Sequence, residues 1–94
     1  MSSLDKIVKI ERSVNVYRKS DDEMAEEIII DIPLETLKEI VPPKDDDPEL
    51  YEAYILSNEQ LEKINALLEN KIVPDYSQFF YVLEAAGIYD WSAN

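Results

Sequence analysis

Carboxylates and phenols carry almost all the reactive side-chain chemistry of this sequence, because it contains neither histidine nor cysteine. Without histidine there is no usual general base, no imidazole ligand for zinc or copper, and no Ser-His or Cys-His nucleophile pair. Without cysteine there is no disulfide framework, thiolate zinc site or thiol nucleophile. The single glycine, Gly87, excludes GxGxxG, P-loop and nucleophile-elbow motifs, each of which needs glycine for a tight turn around phosphate or substrate. The densest remaining cluster is Asp45, Asp46, Asp47 and Glu49, whose oxygens have the chemistry to hold Ca²⁺ or Mg²⁺. It fails the EF-hand pattern, since Leu50 stands where that loop needs glycine and Leu56 where it needs a bidentate glutamate. The cluster is therefore read as a solvated charge run, with no metal and no cofactor expected. Paired carboxylates also run glycoside hydrolysis, but only in a deep sugar cleft that a chain of 94 residues seldom forms. The expectation is a protein without catalytic chemistry.

What remains is charge and aromatic surface. Twenty-one acidic and nine basic residues give a net charge of −12. Lys6, Lys9, Arg12, Arg18 and Lys19 outnumber Asp5 and Glu11 in the first 20 residues, a balance of +3, so the remaining 74 residues carry −15. A field of that sign repels phosphate backbones and anionic lipid and attracts cationic proteins. Neither nucleic acid nor membrane is expected as a partner; a basic protein is. Tyrosine and tryptophan beside carboxylates suit binding hot spots, as in residues 49–54 and 89–91. The candidate partner-binding set is the loop with Asp45, Asp46, Asp47, Glu49, Tyr51 and Glu52, the outer face of the second helix with Glu59, Glu62 and Glu69, and Tyr54 and Trp91 as anchors. Tyr81 is assigned to the core, whereas for Tyr51, Tyr54, Tyr89 and Trp91 core and interface roles both stay open.

The elements that must position these groups follow from periodicity. Residues 7–17 alternate, with Val8, Ile10, Val14 and Val16 on one face, which predicts a strand. Arg12 falls on that apolar face, so a bulge or a sheet edge is expected there. The charged run 18–27 reads as a turn with fraying strand ends, and Ile28, Ile30 and Ile32 as a second strand pairing back as a hairpin. Pro33 opens a helix of little more than two turns through Leu34, Leu37, Ile40 and Val41, which Pro42-Pro43 ends. Residues 51–56 read as a short strand. Ser57 and Gln60 form a capping box opening a second helix, with Leu61, Ile64, Leu67 and Leu68 as its stripe and Lys71 near its end. Residues 76–86 suit a buried strand by aromatic richness, while Asp75 with Gln78 and Gly87 would suit the two ends of a helix. The order β-β-α-β-α-β predicts an α+β domain spanning 1–94: a small, mostly antiparallel sheet of about four strands with two helices packed on one face.

A compact, cysteine-free domain with no apolar stretch long enough for a leader or a membrane span is expected in the cytoplasm. In size, charge and α+β make-up, with Asp45-Asp46-Asp47-Pro48 before an aromatic strand and the Ser57–Gln60 cap, the chain resembles the small acidic immunity proteins of bacterial contact-dependent growth inhibition and related polymorphic-toxin systems. The resemblance implies neutralisation of a basic cognate toxin domain, a nuclease being the expected type, by covering its nucleic-acid groove with carboxylates. Two other classes share parts of this pattern: a regulatory or adaptor subunit of a larger complex, and an acidic nucleic-acid mimic. A homodimer through an edge strand at residues 28–32 is compatible with each.

Overall fold

The computed structural model describes residues 7–89. Its element order is β1 (Ile7–Arg18), β2 (Met24–Ile30), α1 (Leu34–Ile40), β3 (Tyr54–Ile55), α2 (Asn58–Asn65) and β4 (Phe79–Tyr89). All strand pairs are antiparallel, in the order β2-β1-β4-β3, so the first and last strands form the centre of the sheet. The α+β fold with its antiparallel sheet is the one expected from the sequence.

Both helices lie on one face. Leu37 of α1 and Leu61 and Ile64 of α2 pack with Val14, Val16, Ile30, Tyr81 and Leu83 of the sheet in one core that also takes in Val41, Leu50, Tyr54 and Leu56. The charged run 18–27 is not all turn: residues 24–27 belong to β2, because an edge strand leaves Glu26 and Glu27 free to face water while they pair with Val16 and Asn15, and β2 ends at Ile30, short of Ile32. The ambiguous segment 76–86 resolves as a turn at 76–78 followed by β4 from Phe79. Asp75 accepts from the Ser77 amide at 3.1 Å and from Gln78 Nε2 at 3.0 Å, so its capping chemistry closes a turn ahead of the strand. Gly87 lies inside β4, opposite Ile10.

Three expectations are corrected. Arg12 sits neither at an edge nor at a bulge: β1 is central, its register shifts fall at Val16/Tyr17 and Ile7/Lys9, and Arg12 pairs with Ile30 and Ala85. Its guanidinium is accommodated by a reach off the sheet, donating from Nη2 to the Glu49 carbonyl at 2.7 Å. The strand expected at 51–56 shrinks to Tyr54–Ile55, because the Tyr51 and Glu52 amides are held by the Asp47 side chain and are lost to a ladder. Helix α2 has its capping box, with Gln60 N–H on Ser57 Oγ at 3.1 Å, but it ends at Asn65 and not near Lys71. There the Asn65 amide bonds both backbone groups of Ile72 at 2.8 Å, and the Lys71 ammonium sits on the carbonyls of Asn65, Ala66 and Leu68. Leu67 consequently leaves the apolar stripe and is 52% exposed, while Ile64 is fully buried.

This break predicts unequal costs within one periodic stripe. Ile64→Ala should lower unfolding stability by about 2–5 kcal/mol, and Leu67→Ala by about 0.5 kcal/mol or less, as read by urea denaturation. Equal losses would place Leu67 back on a buried helix face.

Candidate functional site

The acidic loop between α1 and β3 is built around a carboxylate that faces inward. Asp47 Oδ1 accepts the Tyr51 amide at 2.9 Å, and Oδ2 accepts the Glu52 amide at 3.0 Å and the Tyr54 hydroxyl at 2.6 Å. The Tyr54 oxygen in turn accepts the Lys44 amide at 3.2 Å, and the Lys44 ammonium lies 5.3 Å from the Tyr54 ring centre. Burial pushes the Asp47 carboxyl up, but the Tyr54 hydroxyl, the two amides and Lys44 outweigh it and hold the group below the usual carboxylate range. Burial and the Asp47 charge both raise the Tyr54 hydroxyl. Leu50 adopts a left-handed backbone, φ 55°, which drives its side chain into the core at 1% exposed.

This geometry corrects part of the candidate set. Asp47 and Tyr54 are internal, at 4% and 9% exposed, with their polar groups bonded to one another and to the loop backbone. Glu49 is paired with Lys38 at 3.8 Å and Glu52 with Lys44 at 3.6 Å. Tyr51 stays exposed, its ring 6.0 Å from the Arg12 guanidinium. On α2, Glu59 pairs with Lys63 at 3.3 Å, while Glu62 is exposed. Glu69 lies beyond the end of the helix, beside an open groove of about 490 Å³ along β2. Trp91 lies outside the described residues.

Across residues 34–72 ten carboxylates face four lysines. Each lysine is spent locally: Lys38 on Glu35 and Glu49, Lys44 on Glu52, Lys63 on Glu59, and Lys71 on helix-end carbonyls. Glu39, Asp45, Asp46, Glu62 and Glu69 are exposed and have no ion pair among the described residues. Their charge faces solvent, and no three acidic side chains among the described residues converge as metal ligands.

The helix-free face of the sheet holds a second group that alternation alone left unremarked. Cross-strand partners share a face, which sets Ser13 beside Glu84 and Ile29, Asn15 beside Val82 and Glu27, and Tyr17 beside Phe80 and Met24. Tyr17 Oη donates to Glu84 Oε2 at 2.7 Å, Asn15 Nδ2 donates to the same oxygen, and the Tyr17 and Phe80 rings stack with centres 5.4 Å apart. The hydrogen bond to Glu84, then burial, raises the Tyr17 hydroxyl. A glutamate inside the apolar run 79–86, in register with the polar side of β1, was the available signal.

The depressed Asp47 carboxyl has a pH signature. Its ionised form stabilises the fold above the ordinary aspartate range, and that advantage is lost as pH falls through the lowered folded-state value. Asp47→Asn should therefore destabilise the domain near neutral pH, with a gap to wild type that narrows between about pH 5 and about pH 2. Thermal denaturation at several pH values checks this, and a gap independent of pH would remove the carboxylate's charge from the explanation.

Comparison with curated proteins finds no match to the chain, and comparison with solved structures finds none either. A family model described as "Domain of unknown function (DUF7683)" matches residues 11–84. That span begins within β1, ends within β4 and encloses both helices, the acidic loop and Glu84, and on this match the chain belongs to the DUF7683 family.

Proposed function

We propose that this chain is a non-catalytic protein-binding domain of the immunity type, acting in the bacterial cytoplasm to capture and neutralise a basic toxin domain. The observation that carries this reading is the one-sided pairing of charge in residues 34–72: every lysine is engaged within the layer, and Glu39, Asp45, Asp46, Glu62 and Glu69 are left outward and uncompensated. Such a field steers a cationic partner and raises its association rate. Exposed Tyr51 beside the loop supplies a large side chain able to hold the complex once formed. On a nuclease, these carboxylates would lie where phosphates bind, and occupation of the groove by the domain would exclude substrate.

The test begins with capture of a partner from the native host and ends in kinetics. A basic protein should be recovered, and cells producing it should survive only when this chain is co-produced. Reversal of Asp45 and Asp46 together, by Asp45→Lys and Asp46→Lys, should slow association about tenfold at low salt, with the difference shrinking near 0.2 M salt. Asp47 is left intact so that the loop keeps its fold. An association rate indifferent to both salt and charge reversal would remove the electrostatic reading and favour an adaptor that docks through apolar surface.

A further inference from the structure

We infer that the helix-free face of the sheet is a second docking surface, receiving an arginine side chain of a protein partner against Glu84 with the Tyr17–Phe80 stack beside it. The inference takes from the reading above only the cationic character of the partner and places a contact on the opposite side of the sheet from the helical layer. An antiparallel sheet with one solvated face normally alternates apolar residues inward with polar residues outward. Here that alternation breaks down. Met24, Ile29 and Ile55 face out at 50%, 51% and 73% exposed, while Ser13 and Asn15 between them are buried at 6% and 5%. This is the reverse of the usual apolar centre and polar rim of an interface, and an aliphatic surround can exclude water from a polar pair formed at the centre.

The centre lacks positive charge. Glu84 is half-buried and holds two neutral donors on one oxygen, from Tyr17 and Asn15, with no ion pair among the described residues. Asn15 Oδ1 is buried without a donor, and Glu27 lies directly across from Asn15. Among the described residues, Lys9 is four residues along β1 from Ser13, roughly 13 Å away at the rise of a strand, and Lys19, two residues beyond Tyr17, has its ammonium on the Tyr76 carbonyl. A half-buried carboxylate with neutral donors and no counter-charge among the described residues, beside a buried amide oxygen with no donor, suits an incoming cation. Arginine fits better than lysine: its guanidinium is planar, weakly hydrated, able to fork across a carboxylate and able to lie on an aromatic face such as the Tyr17–Phe80 stack. A second copy of this chain fits poorly, since face-to-face packing would set Glu27 and Glu84 of one against the same carboxylates of the other.

The probe is the blocked tripeptide Ac-Ile-Arg-Ile-NH₂, titrated at low salt into the ¹⁵N-labelled chain, with the citrulline peptide as a neutral isostere. Shifts should concentrate at residues 13–17, 27–29 and 80–84, and binding should weaken about tenfold with citrulline or with Glu84→Gln, whose amide oxygen keeps both acceptor bonds. An unchanged melting temperature for Glu84→Gln would show that loss of binding is not loss of fold. The Asp45→Asn/Asp46→Asn/Glu62→Gln variant should bind the peptide as wild type does. Shifts confined to the helical layer and abolished by that triple variant would overturn this inference while leaving the proposed function standing; equal binding of the citrulline peptide would overturn it as well. No binding of the arginine peptide at any surface would overturn this inference, while the proposed function would still stand or fall on the capture and association kinetics of its basic partner. Light scattering that showed a dimer broken by Ile29→Lys or Ile55→Lys would mean that a second copy covers this face, and would also overturn it.

Discussion

Withdrawing a carboxylate from water is costly unless its lone pairs find donors, and Asp47 meets that condition with two backbone amides and a phenol. The consequences spread outward from those three bonds. Because Tyr51 and Glu52 give their amides to Asp47, the chain cannot enter the sheet before Tyr54, and β3 is only two residues long. Because the Tyr54 hydroxyl is drawn to the same oxygen, its ring is carried into the core beside Leu83, its cross-strand neighbour. Leu50, between Asp47 and Tyr51, is bent into a left-handed conformation and buried with them. Arg12 closes the arrangement from the sheet side by holding the Glu49 carbonyl. One acidic side chain thus fixes how the helical layer is joined to the sheet, and its neighbours Asp45 and Asp46 are left on the outside of the loop it organises.

The fold was readable where local pattern and tertiary environment agree. Period-two alternation located β1, the capping box located the start of α2, and aromatic density favoured strand for β4. Legibility failed where a side chain took over a backbone group. Nothing in the spacing of Leu61, Ile64, Leu67 and Leu68 reveals that Asn65 will bond Ile72 and end the helix before the stripe is complete. Nothing in Asp45-Asp46-Asp47 says which of three identical residues turns inward; that is decided by Tyr54, seven residues on. The candidate site was therefore legible as a region and a charge, and not as a set of contacts. Glu84 was missed for a related reason, since its meaning comes from strand register with Ser13 across about seventy residues, which no short window contains.

The two faces of the sheet manage negative charge in different ways. On the helical side the excess is large but solvated, and local lysines neutralise what they can reach, so its action is long-ranged and screened within about 10 Å at 0.1 M salt. On the helix-free side Glu84 is half removed from water among rings and aliphatic side chains, where electrostatic interactions are stronger and less screened by salt. On the proposed function and the further inference together, the first arrangement would serve encounter and the second residence. A domain too small for a deep cleft can still hold a partner firmly if both operate on the same molecule.

The pairing of β1 with β4 also bears on how the protein comes to exist. The central ladder joins Arg18 to Phe79 at one end and Ile7 to Tyr89 at the other, so the middle of the sheet cannot assemble until nearly all the described chain has left the ribosome. Closing a loop of about seventy residues costs roughly 4 kcal/mol of chain entropy before the ladder repays it, and such non-local topologies fold slowly. Until then the β1–β2 hairpin waits with the inner edge of β1 unsatisfied, a two-stranded piece that is marginal in water. The open edge of β1 lies in the part of the chain that carries a positive balance, while the acidic excess resides in residues 21–94, so the waiting strand and the segments still to come carry opposite net charge.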